Sequence, residues 1–162
     1  MSAIPYFFLE KNIRGKWVHQ PLYRFPSSSY DRCDDNGLVE VDLWPYNGTH
    51  ELFSILGVEN TFYYADNQLK VKMLSFNELS IEIQEKCEKM RETARPRAVN
   101  LSDLLLETVL RPETEDYYGE DENAKVPNPL IDLYNRAKSM IDLLEDYEYI
   151  TSDYRIVYWV TW

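Results

Sequence analysis

The chain has 162 residues, a formal net charge of −11, and 44% hydrophobic and 14% aromatic side chains. That length sets a single domain, residues 1–162, able to bury about two thirds of its unfolded surface without a covalent staple, and the composition excludes a disordered chain. The acidity argues against direct binding to nucleic acid or anionic membrane, no apolar run approaches the roughly 18 residues that span a bilayer, and the two cysteines, Cys33 and Cys87, form neither a disulfide framework nor a zinc spacing.

The opening segment, MSAIPYFFLEKN, has no basic region ahead of its short apolar run, so a protein of a reducing cytoplasm without a secretory leader is expected. The sequons Asn47-Gly48-Thr49 and Asn100-Leu101-Ser102 are then chance matches. Residues 5–11 and 16–23 are apolar and aromatic and flank Asn12-Ile13-Arg14-Gly15, where Gly15 can supply a positive φ; this predicts a β-hairpin. Pro21 ends the second strand or places it at an edge. Residues 24–46, punctuated by Pro26, Asp34-Asp35-Asn36-Gly37 and Pro45, predict a long loop with one short strand at 38–43.

A helix is predicted from Asn47 or Thr49 to Leu56, stopped by Gly57, with Leu52, Phe53, Ile55 and Leu56 on its buried face. Residues 68–74 alternate as a strand with Leu69, Val71 and Met73 on one face. Ser80 is expected to cap a helix reaching about Thr93, with Ile83, Cys87 and Met90 inward. Another helix follows Asn100 and stops before Pro112. The stretch at about 112–127 holds little that could form a core and reads as an exposed acidic loop. Asn128-Pro129 then opens a helix whose apolar face is Leu130, Tyr134, Ala137, Ile141 and Leu144. The last segment, from Tyr154 to Trp162, is apolar on both faces, which predicts a strand inside a sheet; its Tyr and Trp content leaves a dimer seam open as the alternative.

The resulting expectation is an α+β fold: a small mixed or antiparallel sheet, made of the N-terminal hairpin and the C-terminal strand, covered on one face by about four helices. No internal repeat is visible.

The negative charge is segregated. Glu113, Glu115, Asp116, Glu120, Asp121 and Glu122 lie in one stretch without Lys or Arg, and Asp142, Glu145, Asp146, Glu148 and Asp153 in another. These eleven acids equal the whole excess, and the other 17 match the 17 bases. Tyr117, Tyr118, Tyr147, Tyr149 and Tyr154 sit among them, and aromatic anchors ringed by acids suit a basic protein surface. The ordinary alternative is solubility. Arg91, Arg95 and Arg97, with Lys86 and Lys89, form the one base cluster where an anion could sit; bases that offset a helix C-terminus are the commoner reading. His50-Glu51 is not a metalloprotease motif, because position 54 is Ser. With only His19 and His50 in the chain, no His-based metal site and no cofactor is implied. No Gly-rich phosphate loop is present, and no Ser or Cys has the local signature of a nucleophile.

Three stretches together carry a resemblance. The first is Tyr6-Phe7-Phe8-Leu9-Glu10-Lys11-Asn12-Ile13-Arg14-Gly15-Lys16-Trp17. The second is Glu51-Leu52-Phe53-Ser54-Ile55-Leu56-Gly57-Val58-Glu59. The third is Tyr154-Arg155-Ile156-Val157-Tyr158-Trp159-Val160-Thr161. In order and spacing they resemble a family of small bacteriophage and prophage proteins with a "DIHxxLEK…GKW" opening, a Tyr/Leu-Phe-x-x-Leu-x-Gly-Val-Arg helix and a "VRxVxWF"-type final strand. The family's early Asp and His fall on Ile4-Pro5-Tyr6 here, and its central His-rich segment on Ala94-Arg95-Pro96-Arg97-Ala98. The resemblance implies a phage origin and a shared fold, without an activity.

Two functions are therefore expected to compete, neither enzymatic. In the first, the acidic surface binds and inhibits a host defence or nucleic-acid-processing protein in the cytoplasm of an infected bacterium, by nucleic-acid mimicry. In the second, the chain sequesters a nucleotide immune signal, with Arg91, Arg95 or Arg97 on its phosphate. A phage structural or morphogenesis component is the third reading.

Overall fold

The computed structural model describes residues 3–45, 52, 53, 55–58, 69, 71–115, 125–145 and 147–161. Strands β1 (Ile4–Ile13) and β2 (Lys16–His19) form the expected hairpin. Its tight turn has positive φ at both Arg14 (54°) and Gly15 (83°), the geometry that follows the right-handed strand twist. Asn12 Oδ1 accepts the Gly15 N–H at 2.8 Å and closes the turn. The second strand is shorter than expected. After Gln20 bonds to the Leu9 carbonyl at 2.9 Å, Pro21 turns the chain out of the sheet, as a residue without an N–H does.

The outgoing chain forms a separate small ribbon, β3 (Tyr23–Arg24) against β4 (Val39–Glu40), so the long loop does carry a strand. Residues 52, 53 and 55 are helical. Leu52, Phe53, Ile55 and Leu56 are buried as expected, and Gly57 follows with φ 74°. The predicted helix start at Asn47 or Thr49 lies outside the described residues.

Strand β5 (Val71–Met73) is three residues long and lies at the sheet edge, with Val71 packed on the core and Met73 56% exposed. Helix α1 (Ile81–Glu88) buries Ile83 and Cys87 as predicted but ends before Thr93. From Lys89 on, i→i−3 bonds such as Met90 to Cys87 and Thr93 to Met90 tighten the chain into turns. Strand β6 (Arg97–Asn100) was not foreseen. Asn100 then caps α2 (Leu101–Leu110), its Oδ1 accepting the Ser102 N–H at 2.9 Å.

The predicted acidic loop is partly regular. Its ends are strands, β7 (Glu113–Glu115) and β8 (Lys125–Pro127), with Glu115 opposite Lys125. Opposite charges across a ladder favour that pairing. Helix α3 (Leu130–Leu144) starts where expected, with Asn128 Oδ1 accepting the Leu130 N–H at 3.0 Å. Its inward face is broader than the predicted stripe and includes Leu133 and Met140.

Strand β9 (Tyr154–Thr161) completes a five-stranded antiparallel sheet of order β2-β1-β9-β6-β5. The class is α+β, with three α-helices among the described residues. The C-terminal strand lies at the centre, between β1 and β6, as its two-faced apolarity predicted. Both sheet faces are covered, which corrects the expectation of a single helical layer. Tyr154, Ile156, Tyr158 and Val160 pack with Leu52, Phe53, Ile55 and Leu56 and with α2 and α3. Val157 and Trp159 point the other way and pack with Ile83 and Cys87 of α1. Successive strand residues alternate in direction, so α1 occupies the face opposite α2 and α3. Phe7 stacks on Tyr158 at 5.1 Å between centroids on one face, and Tyr6 on Trp159 at 5.6 Å on the other. Each fully buried side chain of this size contributes about 1.5–3 kcal/mol. Among the described residues no helix is long and apolar enough to cross a membrane.

Candidate functional site

Among the described residues, Glu113 and Glu115 of the first acidic block and Asp142 and Glu145 of the second lie toward opposite ends of α3. The β7–β8 ribbon leads into the helix N-terminus, and the second block begins at Asp142 near its C-terminus. Fourteen residue steps separate the helix ends, about 21 Å.

Their chemistry differs as well. Glu113 is exposed at the foot of the ribbon, and Glu115 stands opposite Lys125. Asp116, Tyr117, Tyr118, Glu120, Asp121 and Glu122 lie outside the described residues. The ribbon's foot is fastened to the body: the Asn128 N–H donates to the Pro112 carbonyl at 2.9 Å and its Nδ2 to the Arg111 carbonyl at 2.8 Å.

In the second block, Glu145 is turned inward. Its carboxylate, with only 10% of the side chain exposed, accepts from Lys11 Nζ at 2.6 Å and from the Tyr154 hydroxyl. Those bonds, the Lys11 one first, hold the Glu145 carboxyl below its ordinary range. Burial and the same carboxylate push the Tyr154 hydroxyl far upward. Asp142 accepts from Lys138 Nζ and from the Tyr149 hydroxyl, both at 3.0 Å, and the Lys138 bond leads in lowering its pKa. Tyr149 is pushed up to about 12, by burial first and then by Asp142. Glu148 and Tyr147 are exposed, and Asp146 lies outside the described residues. Two of this block's five acids, Asp142 and Glu145, are therefore part of the fold's own bonding.

The bases singled out for an anion are also engaged. Arg91 pairs with Glu88 at 3.0 Å. Arg95 donates to the carbonyl of Ala94 at 2.9 Å, and Arg97 to that of Arg95 at 3.4 Å. The three lie within one seven-residue stretch, yet Arg91 is paired with a carboxylate and the guanidinium groups of Arg95 and Arg97 donate to backbone oxygens.

Two charged clusters escaped sequence reading. Glu10 and Arg155 face each other across β1 and β9 and are 0% and 6% exposed. Arg155 Nε donates to Glu10 Oε1 at 2.8 Å, and its Nη2 reaches the same oxygen at 2.7 Å and the Glu78 carbonyl at 2.7 Å. The other Glu10 oxygen accepts the Ser80 N–H at 2.8 Å, and the Trp17 ring lies 4.2 Å from the guanidinium carbon. The second cluster centres on Glu40, which bonds His19 Nε2 at 2.6 Å and lies 3.7 Å from Lys86 Nζ. It ties β2, β4 and α1 together. A signal existed for the first cluster: a Glu and an Arg inside otherwise apolar strands must find partners when buried.

None of this assembles a nucleophile. His19 shares no hydrogen bond with a hydroxyl or thiol among the described residues, its ring meeting Glu40 and the edge of Phe8. Cys87 is fully buried, and burial followed by Glu88 pushes its thiol up to about 11, which makes it inert. No group of three or more metal-ligating side chains occurs among the described residues. Comparison of the chain with protein-family models, with curated proteins and with solved structures returns no match.

Proposed function

We propose that the chain is a phage-encoded binding protein. It docks on a basic surface of a host defence or nucleic-acid-processing protein in the cytoplasm of an infected bacterium. The acids of the 113–122 segment take the place of nucleic-acid phosphates. The observation that carries this reading is the contrast between Glu113, exposed on the ribbon, and Glu145 and Asp142, which are bonded within the fold. Six acids without a base run from Glu113 to Glu122, the first two in a strand of the ribbon fastened to the body at Asn128, while Glu145 and Asp142 are spent on internal bonds. Like charges gathered in one place repel one another, and a basic partner relieves that cost.

The test is native mass spectrometry of the protein recovered from a bacterial host lysate at low salt. An added mass of tens of kilodaltons that dissociates as salt rises is expected, because exposed charge pairs are screened within about 10 Å at 0.1 M. Replacing Glu113, Glu115, Glu120 and Glu122 by Gln, and Asp116 and Asp121 by Asn, removes the added mass. Capture that survives the six replacements refutes the proposal.

A further inference from the structure

A cleft of about 410 Å³ opens between the β1–β2 turn, β5 and the start of α1. Lys16, Trp17, Lys72, Glu78, Ser80 and Arg155 are among its walls. Arg155 is held almost rigidly: Nε and Nη2 are bonded to Glu10 and the Glu78 carbonyl, and Trp17 covers the guanidinium. Its remaining nitrogen, Nη1, has no hydrogen-bond partner among the described residues. It is also absent from the buried atoms that lack one, so it reaches solvent. The residue is 6% exposed and lines the cleft, so the cleft is where those N–H groups emerge.

Ser80 and the first turn of α1 form part of the same wall. Ser80 precedes α1 and is 3% exposed, yet its hydroxyl makes no capping bond and has no partner. Glu10 takes the Ser80 N–H. Ile81 and Gln84 of the first helical turn line the same cleft, and the first amides of a helix have no intrahelical acceptor. Lys16 and Lys72 add mobile charge at the rim; Lys72 is 71% exposed and only loosely paired with Glu78 at 3.5 Å. Lys16, Lys72 and Arg155 against Glu10 and Glu78 leave one net positive charge here, in a chain that carries −11. A structural Glu–Arg pair accounts for Glu10 and two of the guanidinium nitrogens. It does not account for the third nitrogen, the orphaned Ser80 hydroxyl and the rim lysines around one cavity.

We propose that this cleft binds a phosphorylated small molecule. The guanidinium edge of Arg155 and the two lysines take the phosphate beside the N-terminus of α1. The volume suits a ligand of mononucleotide or sugar-phosphate size. This inference is independent of the docking proposed for the acidic ribbon and uses none of its residues.

The test is calorimetric titration at fixed ionic strength with AMP as probe and adenosine as its phosphate-free control. AMP is expected to bind saturably and adenosine not at all. The Lys16→Ala, Lys72→Ala double variant, altered only at the rim, is expected to melt like the parent and to bind AMP about tenfold or more weakly. An Arg91→Ala, Arg95→Ala variant is expected to bind AMP unchanged. The proposal is overturned by absence of AMP binding, by equal binding of adenosine, by full affinity in the lysine variant, or by loss of affinity in the Arg91, Arg95 variant.

Discussion

The seam between β1 and β9 and the β7–β8 ribbon both concentrate charge, and they use it in opposite ways. At one end of the seam, adjacent register pairs carry Glu10 opposite Arg155 and Lys11 opposite Tyr154. Glu145 reaches the second pair from the end of α3. The first pair faces the α1 layer and the second the α2–α3 layer, so each side of the sheet is pinned by a carboxylate that is nearly removed from water. The ribbon leaves Glu113 exposed and sets Glu115 opposite Lys125 in register. A count of acids along the chain treats the two regions alike. What separates them is whether the carboxylate has been desolvated, because only then does losing its partner leave an uncompensated group.

Replacing Glu10 by Ala should have the largest effect, since it strands the buried Arg155 guanidinium. A loss of about 3–5 kcal/mol is expected in urea unfolding, and a loss below about 1 kcal/mol would show that the pair is better hydrated than its burial implies. Glu145→Ala should come next. It takes the acceptor from Lys11 and from the Tyr154 hydroxyl, at a cost of about 1–3 kcal/mol. Tyr154→Phe combined with Glu145→Ala should cost less than the sum of the single changes, because the two share one bond.

A pH scan sharpens the same contrast. The folded pKa values of Glu145 and Asp142 lie below their unfolded ones. Their contribution is therefore complete above the ordinary carboxylate range, about 3.9–4.3, and is lost as pH falls through the lower folded values. Glu145→Gln should flatten the fall in stability below about pH 4.3. At neutral pH, Glu113→Gln should have the smallest effect of all, within about 0.5 kcal/mol in either direction.

Much of the sheet was legible because its signals are local. The Asn12–Gly15 turn sits between two apolar runs, and the run Ile156–Val160 has no polar face to turn toward water. Helices α2 and α3 announced themselves through Asn100 and Asn128. Strand β6 was not legible. It has four residues, two of them Arg97 and Asn100, and lies between Pro96 and a helix cap, so no alternation can show. The second helical layer was missed because one face of α1 shows only that the helix is buried somewhere, and the pairing of Val157 with Ile83 joins distant parts of the chain. The same distance hid the Glu10–Arg155 pair, whose members are 145 positions apart. In the second acidic block, charge density suggested an interface, but sequence spacing says nothing of Lys11, which lies 134 positions from Glu145.

The most direct test of this division is the urea midpoint of the variant with all six acids of 113–122 neutralised, measured beside Glu145→Gln. Urea is uncharged and leaves electrostatics unscreened, so relief of repulsion remains visible. The account predicts a midpoint at or above that of the parent protein for the six-fold variant, and a clearly lower one for Glu145→Gln. A six-fold variant that unfolds as early as Glu145→Gln would show that the ribbon's acids hold the fold together, and the separation between folding charge and binding charge would fail.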